Sequence, residues 1–176
     1  MRRWMTSPGG RFLFGFAGCL ILLAGVFEGL RPLLVHGYMR PVSRAAALGL
    51  NLLGISARLG EAEPQVGVCR LAVHGVVYLV TFECTGIFAL FLCLAAVLAF
   101  PVPFGHRVRG VLLVVPAFAT YSAARLVVMG LVARFAPEQI ELFHLYVMVL
   151  VNIGFVLLLW LYWARAAGGL PARGPS

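Results

Sequence analysis

Long apolar runs separated by short arginine-bearing stretches make up most of this chain. Four runs with almost no charge cover residues 12–30, 84–100, 110–133 and 143–163. Each is close to the roughly 20 helical residues that cross a hydrocarbon core of about 30 Å. The pattern therefore predicts an all-α integral membrane protein with about four transmembrane helices, forming a single domain over residues 12–163.

The segment over residues 31–83 is more polar, and its five arginines alternate with apolar clusters. Such a pattern predicts an amphipathic helix lying at the membrane interface, or equally a helix that packs on the bundle. Later in the segment, β-branched and aromatic runs at 65–73 and 76–83 flank His74-Gly75. They predict a short β-hairpin outside the membrane, although the second run could instead form the first turns of the next helix.

Composition supports the membrane prediction, because 62% of the chain is hydrophobic and only 11% is charged. A soluble domain of this size carries about 25% charged residues, so the lipid bilayer is the expected main solvent. The net charge is +8, and every basic residue is arginine. These arginines form no stripe with interleaved aromatics, so we expect no nucleic-acid partner.

The positions of the arginines predict the orientation of the chain. Short arginine-bearing loops stay in the cytoplasm, which assigns residues 1–11, the 101–110 loop and a disordered tail at 164–176 to that side. The segment over 31–83 would then lie outside despite its arginines, because long segments are translocated largely regardless of charge. The expected location is the cell (inner) membrane, with several passes.

In this orientation, three side chains that could take part in catalysis are predicted to lie at the same depth in the membrane. Cys84 opens the second span and His144 opens the fourth, so both lie at the outer face. Arg125 lies about 21 Å along the third span from Val111, at about 1.5 Å per residue, which places it in the outer third of the bilayer. Three separate spans thus bring a thiol, a guanidinium and an imidazole together.

Each of these residues has a chemical and a purely structural interpretation. A thiolate at a helix N-terminus is stabilised by the helix dipole, but Cys84 could also be a buried structural cysteine. An arginine inside a span usually faces the bundle interior and has a function, but Arg125 could extend to the interface. His144 can exchange protons near neutral pH, but could be an interfacial polar residue. Their convergence favours a cysteine peptidase.

Other residues near these positions leave some alternatives open. A metal site formed by His36, His74 and His144 is conceivable, although no metal-binding spacing supports it, and we expect no cofactor and no metal. Cys69 could form a disulfide bond with Cys84 outside the membrane. Glu83 could orient the histidine, and its role stays open.

Several motifs resemble the exosortase/archaeosortase family of membrane cysteine transpeptidases, especially its short members. The resemblance covers roughly residues 60–163: Cys84-Thr85-Gly86 at a helix start, then AFPVPFGHRVRG, then Arg125 in the next span, then FHLYV around His144. It implies Cys84 as nucleophile, with Arg125 and His144 completing the site on the periplasmic or extracellular side. Many members carry Asn three residues before the arginine, where this chain has Ser122.

The resemblance also implies the partners. Family members cleave exported proteins that end in a short motif, a transmembrane helix and a basic cluster, and then transfer them to an acceptor. Two other functions remain open on sequence alone. A four-helix membrane thiol-disulfide oxidoreductase needs cysteine pairs in outer loops, and only Cys69 and Cys84 are available there. A non-enzymatic membrane scaffold of an export complex needs none of the three residues.

Overall fold

The computed structural model describes residues 8–168, so most of the predicted N-terminal segment and tail lie outside the described part. The chain is mostly helical and also contains one small antiparallel sheet. In chain order the elements are α1 (Pro8–Leu34), a π-helical turn (Val35–Met39), α2 (Arg40–Leu52), β1 (Ala57–Glu63), β2 (Val68–Val73), β3 (Val76–Thr81), α3 (Phe82–Thr85), α4 (Ile87–Ala99), α5 (Phe104–Phe135), a 3₁₀ turn (Pro137–Gln139), α6 (Ile140–Leu142), a π-helical turn (Phe143–Val147) and α7 (Met148–Ala166).

Three helices within residues 8–168 are long and apolar enough to cross a membrane: Gly9–Leu52, Phe104–Phe135 and Pro137–Ala166. The predicted second span is shorter, because its helix covers only Ile87–Ala99. Thirteen helical residues extend about 20 Å, less than a hydrocarbon core of about 30 Å. The prediction of a helical membrane protein is therefore supported, whereas the fourth span is not confirmed.

The helix that contains the predicted first span does not end near residue 30 but continues through the π-helical turn into α2. One face of α2 is buried, with Val42, Ala46 and Leu50 at helical spacing. This face packs on α5, where Leu50 contacts the Cα of Gly130 so closely that a Cβ there would lie 2.8 Å from Leu50 Cδ1. The segment therefore forms a helix that packs on the bundle, which is one of the two interpretations that the sequence allowed.

The predicted hairpin is confirmed by β2 and β3, which pair antiparallel around His74-Gly75. Both turn residues have positive φ, 51° at His74 and 87° at Gly75, as in the two-residue turns that suit strand twist. A third strand that the sequence did not predict, β1, pairs with β2 on the other side. The fold is therefore not all-α with a hairpin alone, but helical with a three-stranded sheet.

The sheet is attached to α2 through its inner face. Cys69, Leu71 and Val73 of β2 are buried there together with Val80 of β3. At the end of α2, the Asn51 side-chain amide donates to the Ala57 carbonyl oxygen at 2.8 Å and accepts from the Ala57 N–H at 2.9 Å. These contacts fix the sheet above the helices, and β3 runs directly into the segment that carries Cys84.

Aromatic contacts hold α7 against α5. Phe155 stacks on Tyr121 with ring centroids 4.2 Å apart and meets Phe118 edge-on at 5.1 Å. Farther along, the Trp163 indole donates to the His106 carbonyl oxygen at 3.2 Å. Because these contacts lie along much of both helices, they fix the relative positions of the segments that carry Arg125 and His144.

Candidate active site

Cys84 lies in a single helical turn between the sheet and α4. This turn, Phe82–Thr85, ends at Gly86, whose φ of 69° is left-handed. A residue with a Cβ is strained in that conformation, so glycine separates the turn from α4. The sequence placed Cys84 at the start of the long helix, whereas the structure places it one turn earlier. A four-residue turn has a smaller dipole than the long helix that the sequence predicted at this position.

A chain of hydrogen bonds holds this turn in place. Ser122 Oγ on α5 donates to the carbonyl oxygen of Thr85 at 2.5 Å. Because that bond uses the only hydroxyl proton of Ser122, Tyr38 must be the donor in the 2.8 Å bond between its hydroxyl and Ser122 Oγ. Ser122 thus links Tyr38 of the first π-helical turn, α5 and the residue after Cys84.

Thr81 is a neighbour of Cys84 that the sequence analysis missed. Its Oγ1 lies 3.5 Å from Cys84 Sγ, and it occupies the position just before the helical turn. A hydroxyl at this distance can donate a hydrogen bond to the thiolate and so stabilise the reactive form. A sequence signal for Thr81 was present, since threonine is one of the residues preferred at the position just before a helix.

One cavity of about 250 Å³ is lined by all three residues singled out from the sequence, Cys84, Arg125 and His144. They come from the turn after β3, from α5 and from the π-helical turn before α7. The remaining lining residues are almost all apolar: Leu71, Val73, Tyr78, Leu79, Val80, Leu126, Met129, Gly130, Ala133 and Ile140. The structure thus brings a thiol, a guanidinium and an imidazole to one apolar space.

Arg125 is buried, with 7% of its surface exposed. Neither of the ion pairs formed among residues 8–168 includes it, since these join Arg31 to Glu28 and Arg70 to Glu63. A buried charge without a partner is costly, so an arginine in this state is suited to a negative charge brought in by a ligand or formed during a reaction.

Gly86 lies beside both Arg125 and Asn152. A Cβ at Gly86 would lie 3.6 Å from Arg125 Nη1 and 3.6 Å from Asn152 Oδ1. Asn152 comes from α7, and its Oδ1 is buried without a hydrogen-bond partner in the described part of the chain. The sequence analysis missed Asn152, although a lone amide within an apolar span is itself a sign of a polar role.

His144 is half-buried and lies in the π-helical turn Phe143–Val147. Such turns inside helices are frequent at functional sites. The other histidines do not join it: His36 and His74 line two different cavities. Among residues 8–168 no group of three His, Cys, Asp or Glu side chains could hold a metal ion, so the metal site conceivable from the sequence is not formed.

Glu83 and Cys69 do not share the cavity with the three residues. Glu83 is exposed and lines a separate cavity beside Arg31, so it is not placed to orient His144. Cys69 is fully buried, and this burial raises the pKa of its thiol. All four cysteines are free, and a buried, protonated Cys69 does not favour thiol exchange with Cys84.

Comparison with known proteins adds no relative to this description. No family model matches the chain, and no curated protein or solved structure matches it either. The resemblance to exosortases therefore rests on the motifs around Cys84, Arg125 and His144 alone.

Proposed function

We propose that this protein is a membrane-embedded cysteine peptidase or transpeptidase whose site consists of Cys84, Arg125 and His144. The observation that carries the proposal is the shared cavity, to which three separate segments supply a thiol, a guanidinium and an imidazole. A purely structural cysteine, a lipid-facing arginine and an interfacial histidine have no reason to line the same space.

In the first half of the reaction, Cys84 gives its proton to the His144 imidazole and attacks the carbonyl carbon of a substrate peptide bond. Arg125 stabilises the negative charge that develops on the carbonyl oxygen. As the C–N bond breaks, the imidazolium of His144 protonates the leaving amine. The acyl group stays on Cys84 as a thioester.

In the second half, water or the primary amine of an acceptor attacks the thioester carbon. The proton of this nucleophile passes to His144 and from there to the departing Cys84 thiolate. Water yields a carboxylic acid and an amine yields a new amide, and in both cases the three side chains return to their starting states.

The apolar lining of the cavity and the burial of Arg125 support this assignment of roles. A guanidinium acts more strongly on a developing oxyanion where water is largely excluded. Because Arg125 has no ion-pair partner among the described residues, its charge does not have to be released from a carboxylate before it can act. The Thr81 hydroxyl lies 3.5 Å from Cys84 Sγ and can donate a hydrogen bond to the Cys84 thiolate.

The proposed substrates follow from the resemblance to exosortases. They are exported proteins that end in a short motif, a hydrophobic helix and a basic cluster, with the helix docking laterally between the spans. The enzyme would lie in the cell membrane, with its site on the periplasmic or extracellular side.

The test compares the C-termini of exported proteins in cells that carry the wild-type chain or the Cys84→Ala variant. We expect proteins with the uncleaved hydrophobic helix and basic cluster to accumulate in the variant. Cys19→Ala is the matched control, since Cys19 is a half-buried cysteine of α1 that lies outside the cavity. Equal processing by the Cys84→Ala variant would refute the peptidase proposal, and unchanged export-complex assembly in that case would favour a scaffold.

A further inference from the structure

The cavity beside Cys84 reaches the free edge of the sheet. Strand order is β1-β2-β3, so no described strand pairs with the outer edge of β3. Tyr78, Leu79 and Val80 all line the cavity, although successive strand residues point to opposite faces. Because the cavity touches residues of both faces, it meets the backbone of this edge strand.

The register shows which backbone groups are free there. Val73 and Val76 flank the two-residue turn as a hydrogen-bonded pair, and such pairs alternate along an antiparallel ladder. Tyr78 and Val80 therefore direct their N–H and C=O groups towards β2. Val77 and Leu79 direct theirs away from it, to the open edge, and these two residues are 57% and 60% exposed.

We propose that an extended substrate segment binds as a fourth strand on the open edge of β3 and is thereby delivered to Cys84. This proposal rests on the proposed peptidase function and adds its mode of substrate binding. An extended peptide presents the alternating N–H and C=O groups that a free strand edge lacks. The backbone of Leu79 is the expected main contact, because Leu79 lines the cavity.

Charge and polarity of the cavity fit this occupant. Among residues 8–168 no carboxylate lines the cavity, whereas the Arg125 guanidinium does and complements the oxygen of a peptide carbonyl. The other walls are mostly apolar and suit uncharged side chains on the bound segment. The strand also leads to the nucleophile, because the hydroxyl of Thr81, the last residue of β3, lies 3.5 Å from Cys84 Sγ.

The test measures how fast two chloromethyl reagents alkylate Cys84 in the purified full-length chain. One is an acetylated Val-Ala-Ala chloromethyl ketone, which carries a peptide backbone, and the other is chloroacetamide, which does not. Leu79→Pro removes one outward N–H, and edge strands tolerate proline at such a position. Leu79→Ala is the matched control, since it removes the side chain but keeps that N–H.

We expect Leu79→Pro to slow alkylation by the peptidyl reagent about tenfold, the effect of roughly one hydrogen bond. Chloroacetamide should react equally with all three chains. Leu79→Ala should slow the peptidyl reagent less than Leu79→Pro does, because it removes part of the apolar wall but keeps the outward N–H. A second arm needs no variant: methylating the backbone nitrogens of the peptidyl reagent should slow its reaction with the wild-type chain by a similar factor. This arm decides the question if Leu79→Pro fails to fold.

Equal rates for the methylated and unmethylated reagents would overturn strand addition at this edge. Because alkylation does not require turnover, that result would leave the peptidase proposal intact. A different result would refute the peptidase proposal, namely normal substrate processing by the Cys84→Ala variant. A Cys84 that neither reagent modifies would overturn both proposals.

Discussion

Ser122 Oγ donates a hydrogen bond to the carbonyl oxygen of Thr85, the residue that follows Cys84. Ser122 is also three positions before Arg125, so both side chains lie on the same face of α5. Both are buried. One helical turn of α5 therefore fixes the position of the cysteine-bearing segment and directs the guanidinium to the same cavity.

Replacing Ser122 by alanine should weaken the fold and the site together. The buried carbonyl oxygen of Thr85 and the hydroxyl of Tyr38 each lose a partner, which costs about 1–3 kcal/mol. We expect a lower thermal unfolding temperature and reduced processing of exported proteins. Thr120→Ala is the control, since the exposed Thr120 hydroxyl bonds only to the Pro116 carbonyl oxygen of its own helix. Matching melting temperatures for the two variants would show that the bond to Thr85 contributes little.

Arg125→Gln should remove most of the activity while leaving the chain folded. Glutamine keeps hydrogen-bonding groups but carries no charge, and loss of one oxyanion donor typically lowers turnover about 100-fold or more. The measurement is the rate of processing of exported proteins. Arg109→Gln is the control, because Arg109 is an exposed arginine near the start of the same helix. Wild-type rates in Arg125→Gln would assign Arg125 to packing or insertion.

Cys84 should react with chloroacetamide faster than Cys69 in the folded chain. Cys84 is partly exposed at a cavity, whereas burial raises the pKa of the Cys69 thiol. At any given pH a raised pKa leaves a smaller thiolate fraction, so Cys69 should react more slowly than a thiol with an ordinary pKa. Mass spectrometry of the labelled peptides measures both rates. Unfolding the chain should abolish the difference, and a faster Cys69 in the folded chain would contradict the prediction.

The helices and the hairpin could be predicted because their signals are local. Apolar runs of sufficient length indicate the long helices, and β-branched runs around His74-Gly75 indicate β2 and β3. The strand β1 has no such signal: its sequence, ARLGEAE, is poor in strand-forming residues. It forms through pairing with β2 and through the hydrogen bonds from Asn51 to Ala57.

Part of the candidate site could be predicted from positions along the apolar segments. Depth alone placed Cys84, Arg125 and His144 near one another, and the structure has all three at one cavity. Depth does not reveal rotation about a helix axis, so Tyr38 and Asn152 could not be assigned to the site in advance. The left-handed conformation of Gly86 could not be predicted either, because an uninterrupted apolar sequence does not show where its helix begins.

The hydrogen bond from Tyr38 to Ser122 gives the first helix a role beyond holding the chain in lipid. Tyr38 lies in the π-helical turn that joins α1 to α2, so the rotational phase of that turn decides whether its hydroxyl reaches α5. Exchanging this helix for an unrelated hydrophobic segment of equal length would remove the hydrogen bond from Tyr38 to Ser122, and with it part of the support for the turn that carries Cys84. Substitutions at the exposed positions of α1 should therefore be tolerated, whereas a substitution of Tyr38 in the following turn should not be.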